Sequence, residues 1–170
     1  MKVLSYILFF IGFSTSLFAQ HNQQIISGND NYNDGDFEAA ASNYQNALNE
    51  NKNSIEGTFN LGDALFRQEK YEEAAIQFEN IANKTENKET KSWAYHNQGN
   101  SLLQSQKLEE SIEAYKNALR ANPKNDAARY NLSFAKKMKQ QQEEQEEKQD
   151  QNEDKENKDQ ENNKDENKDG

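Results

Sequence analysis

A short pattern built around a glycine recurs along this chain at a nearly fixed interval. Gly62 lies 34 residues after Gly28 and 37 residues before Gly99. After each glycine the chain places a large apolar residue nine positions on, a small residue twelve positions on and an aromatic residue sixteen positions on. These residues are Phe37, Tyr71 and Leu108, then Ala40, Ala74 and Ser111, then Tyr44, Phe78 and Tyr115. A period of this length is typical of a solenoid, which presents a long surface to another chain rather than a pocket for chemistry.

The repeat divides the chain into three units when each glycine is numbered position 8. The units are 21–54, 55–88 and 92–125, and a polar insert, 89–91, precedes the third. Within a unit the apolar residues are spaced by three and four, which is the period of an α-helix. This spacing therefore predicts two helices joined by a turn in each unit. For the whole chain we predict an all-α solenoid of about three helix pairs.

Small residues at fixed positions indicate where the two helices of a unit meet. A glycine at position 8 and an alanine or serine at position 20 let the helices approach closely, while large residues at positions 17 and 24 fill the space toward the next unit. Pro123, at position 32 of the third unit, is placed where the second helix must stop.

These anchors resemble the tetratricopeptide repeat (TPR). The third unit matches the family pattern at Tyr95, Gly99, Leu102, Ser111, Tyr115, Ala118 and Pro123, and the second at Leu61, Gly62, Leu65, Ala74 and Phe78. The first unit fits at Gly28, Ala40, Tyr44 and Ala47 but departs from the pattern at Gln24, Ser27 and Asn31. The resemblance implies a right-handed array of helix pairs over about residues 20–140, whose first helices line a concave face.

A further amphipathic segment follows Pro123. It begins at Asp126 and resembles the first helix of another unit, with Ser133 in place of the glycine. Because no second helix follows, we interpret residues 126–140 as a capping helix that covers the last repeat.

The family resemblance places the partner-binding groove on the first helices, mainly at positions 2, 5, 6, 9 and 12. The predicted groove residues are Phe59, Asn60, Asp63, Phe66, Trp93, His96, Asn97, Asn100, Leu103, Tyr130, Asn131 and Phe134. An asparagine occupies position 6 in three successive helices, and a carboxamide pairs with both backbone groups of an extended peptide. Aromatic residues often anchor a binding partner. The alternative is that these asparagines are common family features and that some of the aromatic residues only pack between units.

Two other kinds of site have weak support in the sequence. A TPR subclass clamps a C-terminal carboxylate with lysine and arginine at positions 2, 5 and 6, but these positions carry neither residue here. His96 has no cysteine and no second histidine near it in the sequence, and no base–nucleophile pair accompanies it. We therefore expect no metal, no cofactor and no enzymatic activity.

The amino terminus predicts export. Lys2 is followed by an apolar run from Val3 to Phe18, and a small residue, Ala19, ends it. This is the pattern of a secretory signal peptide, 1–19. An uncleaved membrane anchor is the alternative, but the run of 16 residues is shorter than the roughly 20 that span a bilayer. The absence of cysteine excludes both a disulfide scaffold and an N-terminal lipid anchor on cysteine.

The carboxyl-terminal segment, 141–170, predicts a disordered tail. From Glu143 onward it carries thirteen acidic residues and five lysines, a balance of −8 out of −10 for the whole chain. It contains no apolar side chain, so it has too little surface to bury for stable folding. The acidic balance also argues against binding nucleic acid.

Together these features favour an exported, non-enzymatic scaffold that binds partner proteins. The order of signal peptide, repeats and polar tail resembles the secreted BatC-type TPR proteins of bacteroidete aerotolerance (Bat) operons. That resemblance implies a periplasmic role in envelope stress, beside a MoxR-type ATPase and von Willebrand A-type membrane proteins as partners. The alternative function is a periplasmic holdase that binds unfolded segments. Pairing between copies of the chain through the first unit also stays open.

Overall fold

The structure, a computed structural model, describes residues 22–166, with side chains through residue 149. Over this range the backbone forms seven helices and no strand. They are α1 (22–33), α2 (Phe37–Glu50), α3 (Ile55–Arg67), α4 (Tyr71–Lys84), α5 (Lys88–Gln104), α6 (Leu108–Ala121) and α7 (Asp126–Glu166). From α2 onward each helix packs against its neighbours in the sequence. The predicted all-α solenoid of three helix pairs and a capping helix is confirmed, while the predicted signal peptide lies outside the described residues.

The glycine at position 8 sets the distance between the two helices of each unit. A Cβ atom on Gly28 would lie 2.5 Å from the Tyr44 ring, and one on Gly99 would lie 2.6 Å from the Tyr115 ring. Both tyrosines are almost completely buried. The hydroxyl of Ser111, at position 20, donates to the Gly99 carbonyl at 2.9 Å. The small residues therefore act as the sequence predicts.

The turn inside each unit contains one residue in the left-handed region. Gly35, Glu69 and Gln106 have φ values of 84°, 61° and 62°, and all three occupy position 15 of their units. In the first unit this position is a glycine, which adopts a positive φ at no steric cost because it has no Cβ atom. The other two units place glutamate and glutamine there, and a Cβ atom disfavours this backbone conformation. The turn geometry is thus common to all three units although the sequence signal is clear only in the first.

The polar insert before the third unit is helical, which differs from its sequence interpretation as a separator between units. Helix α5 begins at Lys88, and the Asn87 side chain caps it by accepting from the amides of Glu89 and Thr90 at 2.9 Å. Asparagine is a strong N-cap residue, and no glycine or proline follows it to delay the helix. The insert 89–91 therefore lengthens α5 by about one turn.

The main core cluster runs across the units, from Ile25 to Ala94, and consists largely of alanines, leucines and the aromatic residues at position 24. The largest fully buried side chains include Tyr44, Ile81 and Tyr115. A second, smaller cluster joins Ile112 and Tyr115 of α6 to Ala135 of α7. Helix α7 thus covers the apolar face of α6, as predicted for a capping helix.

Helix α7 is longer than the capping helix predicted from the sequence. The backbone stays helical to Glu166, whereas the sequence places the end of the cap near residue 140. Side-chain pairs one turn apart, Gln140 to Glu144 and Gln142 to Glu146, stabilise this continuation. Because isolated helices without an apolar face are marginal in water, disorder of the tail in solution stays a prediction.

Candidate partner-binding groove

The first helices of the units, α1, α3, α5 and α7, are joined in series by side-chain contacts, and together they form the candidate groove. Asn60 of α3 donates from Nδ2 to Oδ1 of Asn29 on α1 at 3.3 Å. Asn131 of α7 donates from Nδ2 to Oδ1 of Asn100 on α5 at 2.8 Å. Helices α3 and α5 meet through the tilted rings of Phe59 and Trp93. The predicted groove residues therefore lie on adjoining helices.

A cavity of about 420 Å³ opens between α3, α5 and α7. Its lining residues are Phe66, Asn100, Leu103, Gln104, Tyr130, Asn131 and Phe134. Tyr130 is 74% exposed and Phe134 is 48% exposed, which is unusual for aromatic side chains on a packed helix. The cavity has apolar walls, carboxamide groups at its polar points and no charged lining residue. We name it the aromatic cavity.

A three-residue junction fixes α7 to α5 beside this cavity. The Tyr115 hydroxyl donates to Asn100 Oδ1 at 2.8 Å, and the same oxygen accepts from Asn131 Nδ2. A carbonyl oxygen has two acceptor sites, so Asn100 Oδ1 is saturated by these two donors. The primary role of Asn100 and Asn131 is therefore to hold α5 and α7 together.

The same junction occurs between α1 and α3 at equivalent positions of the repeat. Tyr44 donates from its hydroxyl to Asn29 Oδ1 at 2.7 Å, and Asn60 approaches that oxygen from the next helix. Burial raises the pKa of Tyr44 to about 12, so its hydroxyl keeps the donated proton at neutral pH. Asn60, like Asn131, is engaged within the fold.

The middle junction, between α3 and α5, departs from this pattern. Phe78 stands where the other units have a tyrosine, and Asp63 stands where they have an asparagine. Asp63 Oδ2 accepts a short hydrogen bond from the Tyr32 hydroxyl. Within residues 22–149 the side chain of Asn97 makes no hydrogen bond, although it occupies the position of Asn60 and Asn131.

Tyr32 and Arg67 belong to the groove but were not among the residues predicted from the sequence. Arg67 donates from Nη1 to the Tyr32 hydroxyl at 3.2 Å, and its guanidinium carbon lies 4.3 Å from the centre of the Phe37 ring. Burial and the hydrogen bond to Asp63 raise the pKa of Tyr32. Tyr32 occupies position 12, one of the groove positions, so the register contained the signal that would have identified it.

Part of the aromatic wall packs between units rather than facing the groove. The ring centres of Phe59 and Trp93 are 4.3 Å apart, and Trp93 also lies 6.4 Å from the Phe78 ring. Trp93 remains 37% exposed. Phe66 lines the aromatic cavity with one edge and meets Tyr71 edge-on at 5.1 Å with the other. For Phe59 and Trp93 the alternative of packing between units therefore has direct structural support.

His96 lies in the junction between α5 and α7. Its Nε2 is 3.1 Å from Asn131 Nδ2, and its ring centre is 6.0 Å from that of Tyr115. Burial lowers the pKa of His96, so the ring is neutral at pH 7 and Nε2 accepts from the amide. Among the residues that the structure describes, no three His, Asp or Glu side chains converge on a metal-sized site. The geometry gives His96 a role in positioning Asn131.

In residues 22–166 no helix combines the length needed to cross a bilayer with sufficient apolar character.

Two TPR family models match the sequence. One, described as a tetratricopeptide repeat, matches residues 27–86, and the other, described as a TPR repeat, matches residues 99–140. Together the matches cover more than half of the chain. No protein of curated function matched the sequence.

Solved TPR structures share the fold. The first TPR domain of human RPAP3 superposes with a TM-score of 0.64 at 21% identity, covering 74% of this chain and 96% of that domain. The first TPR of Spaghetti (RPAP3), bound to the HSP90 peptide SRMEEVD, gives 0.62 at 21% identity, covering 71% and 93%. The second TPR domain of human RPAP3, in complex with the HSP70 peptide SGPTIEEVD, gives 0.59 at 24% identity, covering 68% and 98%.

At these identities the structural likeness shows the fold alone, but it agrees with the family matches and with the junctions that repeat from unit to unit. This chain is a tetratricopeptide repeat protein.

Proposed function

We propose that this protein is a non-enzymatic scaffold that binds an extended segment of a partner protein in its groove. The observation that carries the proposal is the aromatic cavity, where Tyr130 and Phe134 expose large apolar surface beside the carboxamides of Asn100 and Asn131. Apolar walls with a few placed polar groups are typical of binding sites. The TPR domains of Spaghetti and human RPAP3 hold peptides, which supports the same use of the fold here.

We further propose that the scaffold works in the periplasm, in an envelope-stress complex of the aerotolerance type. The support is the resemblance of the whole chain to the BatC-type proteins, in which a signal peptide precedes the repeats and a polar tail follows them. On this proposal the partners are von Willebrand A-type membrane proteins, and the chain is held at the membrane through them.

A holdase that binds unfolded segments is the second candidate function. The exposed aromatic side chains favour it as well, because unfolded chains present apolar residues without a fixed sequence. The two functions differ in the number of proteins bound: a scaffold holds one or two in fixed ratio, whereas a holdase holds many.

The test uses the full chain, expressed in a bacteroidete cell and cross-linked there before capture. Three forms are compared: wild type, Tyr130→Ala, and the control Ile76→Ala. Ile76 is 54% exposed on α4, a second helix of its unit, so the control removes a comparable exposed apolar side chain away from the groove. Circular dichroism establishes that all three forms fold alike.

We expect one or two partners to be captured by wild type and Ile76→Ala and lost from Tyr130→Ala. Identification of von Willebrand A-type proteins among them supports the periplasmic role, and other partners in fixed ratio refute that role while keeping the scaffold. A broad list of unrelated proteins supports the holdase. Equal capture by all three forms places binding outside the groove and overturns the proposal.

A further inference from the structure

The three junctions of the groove are built on equivalent positions, so each serves as an internal reference for the others. At the two outer junctions an asparagine oxygen is occupied by a tyrosine hydroxyl and by the next asparagine. At the middle junction Phe78 supplies no hydroxyl, and the Asn97 side chain makes no hydrogen bond to any residue in 22–149. Asp63 Oδ1 likewise receives none there, since Tyr32 donates to Oδ2. The middle junction therefore keeps a carboxylate oxygen and a carboxamide available to a ligand.

Asp63 also makes no direct ion pair in the part of the chain that the structure describes with side chains. Arg67 lies one turn further along α3, but no ion pair within 4 Å forms between them. Its guanidinium is held instead by the Tyr32 hydroxyl and by the face of the Phe37 ring. The free oxygen of this half-buried carboxylate can therefore accept a charged hydrogen bond from a ligand.

Around Asp63 and the aromatic cavity the groove offers little to a negatively charged ligand, because its one nearby cation, Arg67, is held by Tyr32 and Phe37. The aromatic cavity has no charged lining residue, and the positions that carry cations in a carboxylate clamp hold Trp93, His96 and Asn97 in the third unit. The peptides bound by the RPAP3 domains, SRMEEVD and SGPTIEEVD, are rich in acidic residues. The Asp63 carboxylate has the sign that repels such sequences.

We propose that Asp63 and Asn97 form a subsite for a lysine or arginine side chain of the bound partner segment. Asp63 Oδ1 accepts from the ammonium or guanidinium group, and the Asn97 carboxamide pairs with the adjacent peptide backbone. This proposal rests on the proposed function, because it specifies the partner that the groove accepts.

The nearness of the aromatic cavity along α3 suggests a second feature of the partner. Phe66, in the wall of the cavity, follows Asp63 by three residues on α3, a rise of about 4.5 Å along the helix axis. An extended chain advances about 3.3 Å per residue. The partner segment thus carries a large apolar residue one to three positions from its basic residue.

The test is selection from a display library of random 12-residue peptides. Each peptide is inserted within a carrier protein, so it has no free C-terminal carboxylate. The library is selected against wild type, Asp63→Asn and the control Glu79→Gln. Asparagine still accepts from the Tyr32 hydroxyl, so the fold at the junction is kept. Glu79 is an exposed acid on α4, and its substitution removes the same charge outside the groove. Equal melting temperatures of the three proteins establish that their folds are comparable.

We expect wild type and Glu79→Gln to enrich peptides with a lysine or arginine near a large apolar residue, and Asp63→Asn to lose the basic preference. For one enriched peptide made synthetically, replacing the basic residue by alanine should weaken binding to wild type at least about tenfold and change binding to Asp63→Asn little. Enrichment without a charge preference, or a basic preference that Asp63→Asn retains, overturns the subsite while leaving the scaffold intact. The enriched peptides are also titrated against Tyr130→Ala, and if none of them binds it more weakly than wild type, the proposed function itself fails.

Discussion

Gly99 lies directly against the ring of Tyr115, at a distance that leaves no room for a Cβ atom: one built there would be 2.6 Å from the ring. The same relationship at Gly62 is looser, because the nearest ring atom of Phe78 would be 3.1 Å away. The closeness of the first and second helix thus differs between units, and the two tight units are those in which a tyrosine bonds to an asparagine.

The first prediction compares alanine at these two glycines. Gly99→Ala should destabilise the protein by about 1–3 kcal/mol, because the fully buried ring cannot move aside. Gly62→Ala should cost much less, since alanine favours the helix and a shift of a few tenths of an ångström relieves the contact. Urea unfolding measures both. Equal losses, or a more stable Gly99→Ala, would contradict the packing described for the third unit.

The second prediction concerns the left-handed turn residue of each unit. Replacing Glu69 or Gln106 by glycine should stabilise the protein by about 1 kcal/mol, because glycine adopts a positive φ without steric cost. Gly35→Ala is the matched opposite change and should destabilise by a similar amount. Its Cβ would meet nothing within 4 Å, so the loss would report backbone conformation and not a clash. Thermal unfolding of the three variants decides the point.

The repeat positions predicted the fold well because the helix pairs stack through a few contacts that recur at fixed positions of the repeat. Gly28 against Tyr44, and Ser111 against the Gly99 carbonyl, are set by spacing alone. The state of each groove side chain depends on its cross-helix partner, which spacing does not give. Asn60, Asn97 and Asn131 are identical in the pattern, yet of these three only Asn97 has a side chain without a hydrogen bond in the described part of the chain. Trp93, predicted as a groove wall, also packs on Phe59.

The third prediction is a pH dependence of stability that originates at His96. Burial lowers its pKa below the ordinary value of 6.5, so the unfolded chain binds the proton more tightly than the folded one. This contribution to stability is fully present above pH 6.5, and it declines as the pH falls through 6.5 toward the folded pKa. Protonation would also place a donor on Nε2 facing the Asn131 amide, a second donor.

Urea unfolding at pH 7.5 and pH 5.5 checks this prediction. His96→Gln serves as the reference, because its amide keeps a hydrogen-bonding group near Asn131 and does not titrate. Wild type should lose more stability between the two pH values than His96→Gln. Most carboxylates titrate below this window, so their contribution is small and shared by both proteins. Equal losses would mean that His96 is not buried as described.

The fourth prediction separates the capping function of α7 from its polar extension. Deleting residues 143–170 should leave the melting temperature nearly unchanged. The contacts that hold α7 on α6, such as Ala135 with Tyr115, come before the cut. The deletion removes the exposed partner Glu143 from Lys139, while Lys139 keeps Glu109 at 2.8 Å. Exposed ion pairs contribute about 0–1 kcal/mol.

The same deletion measures whether the extension is helical in solution. If the extension is disordered, as its composition predicts, the total helical signal in circular dichroism stays constant on deletion while the signal per residue rises. If α7 is a continuous helix to Glu166, the total signal falls by the share of the deleted residues. A large drop in melting temperature would instead show that the extension packs on the repeats, and the cap would then have to include it.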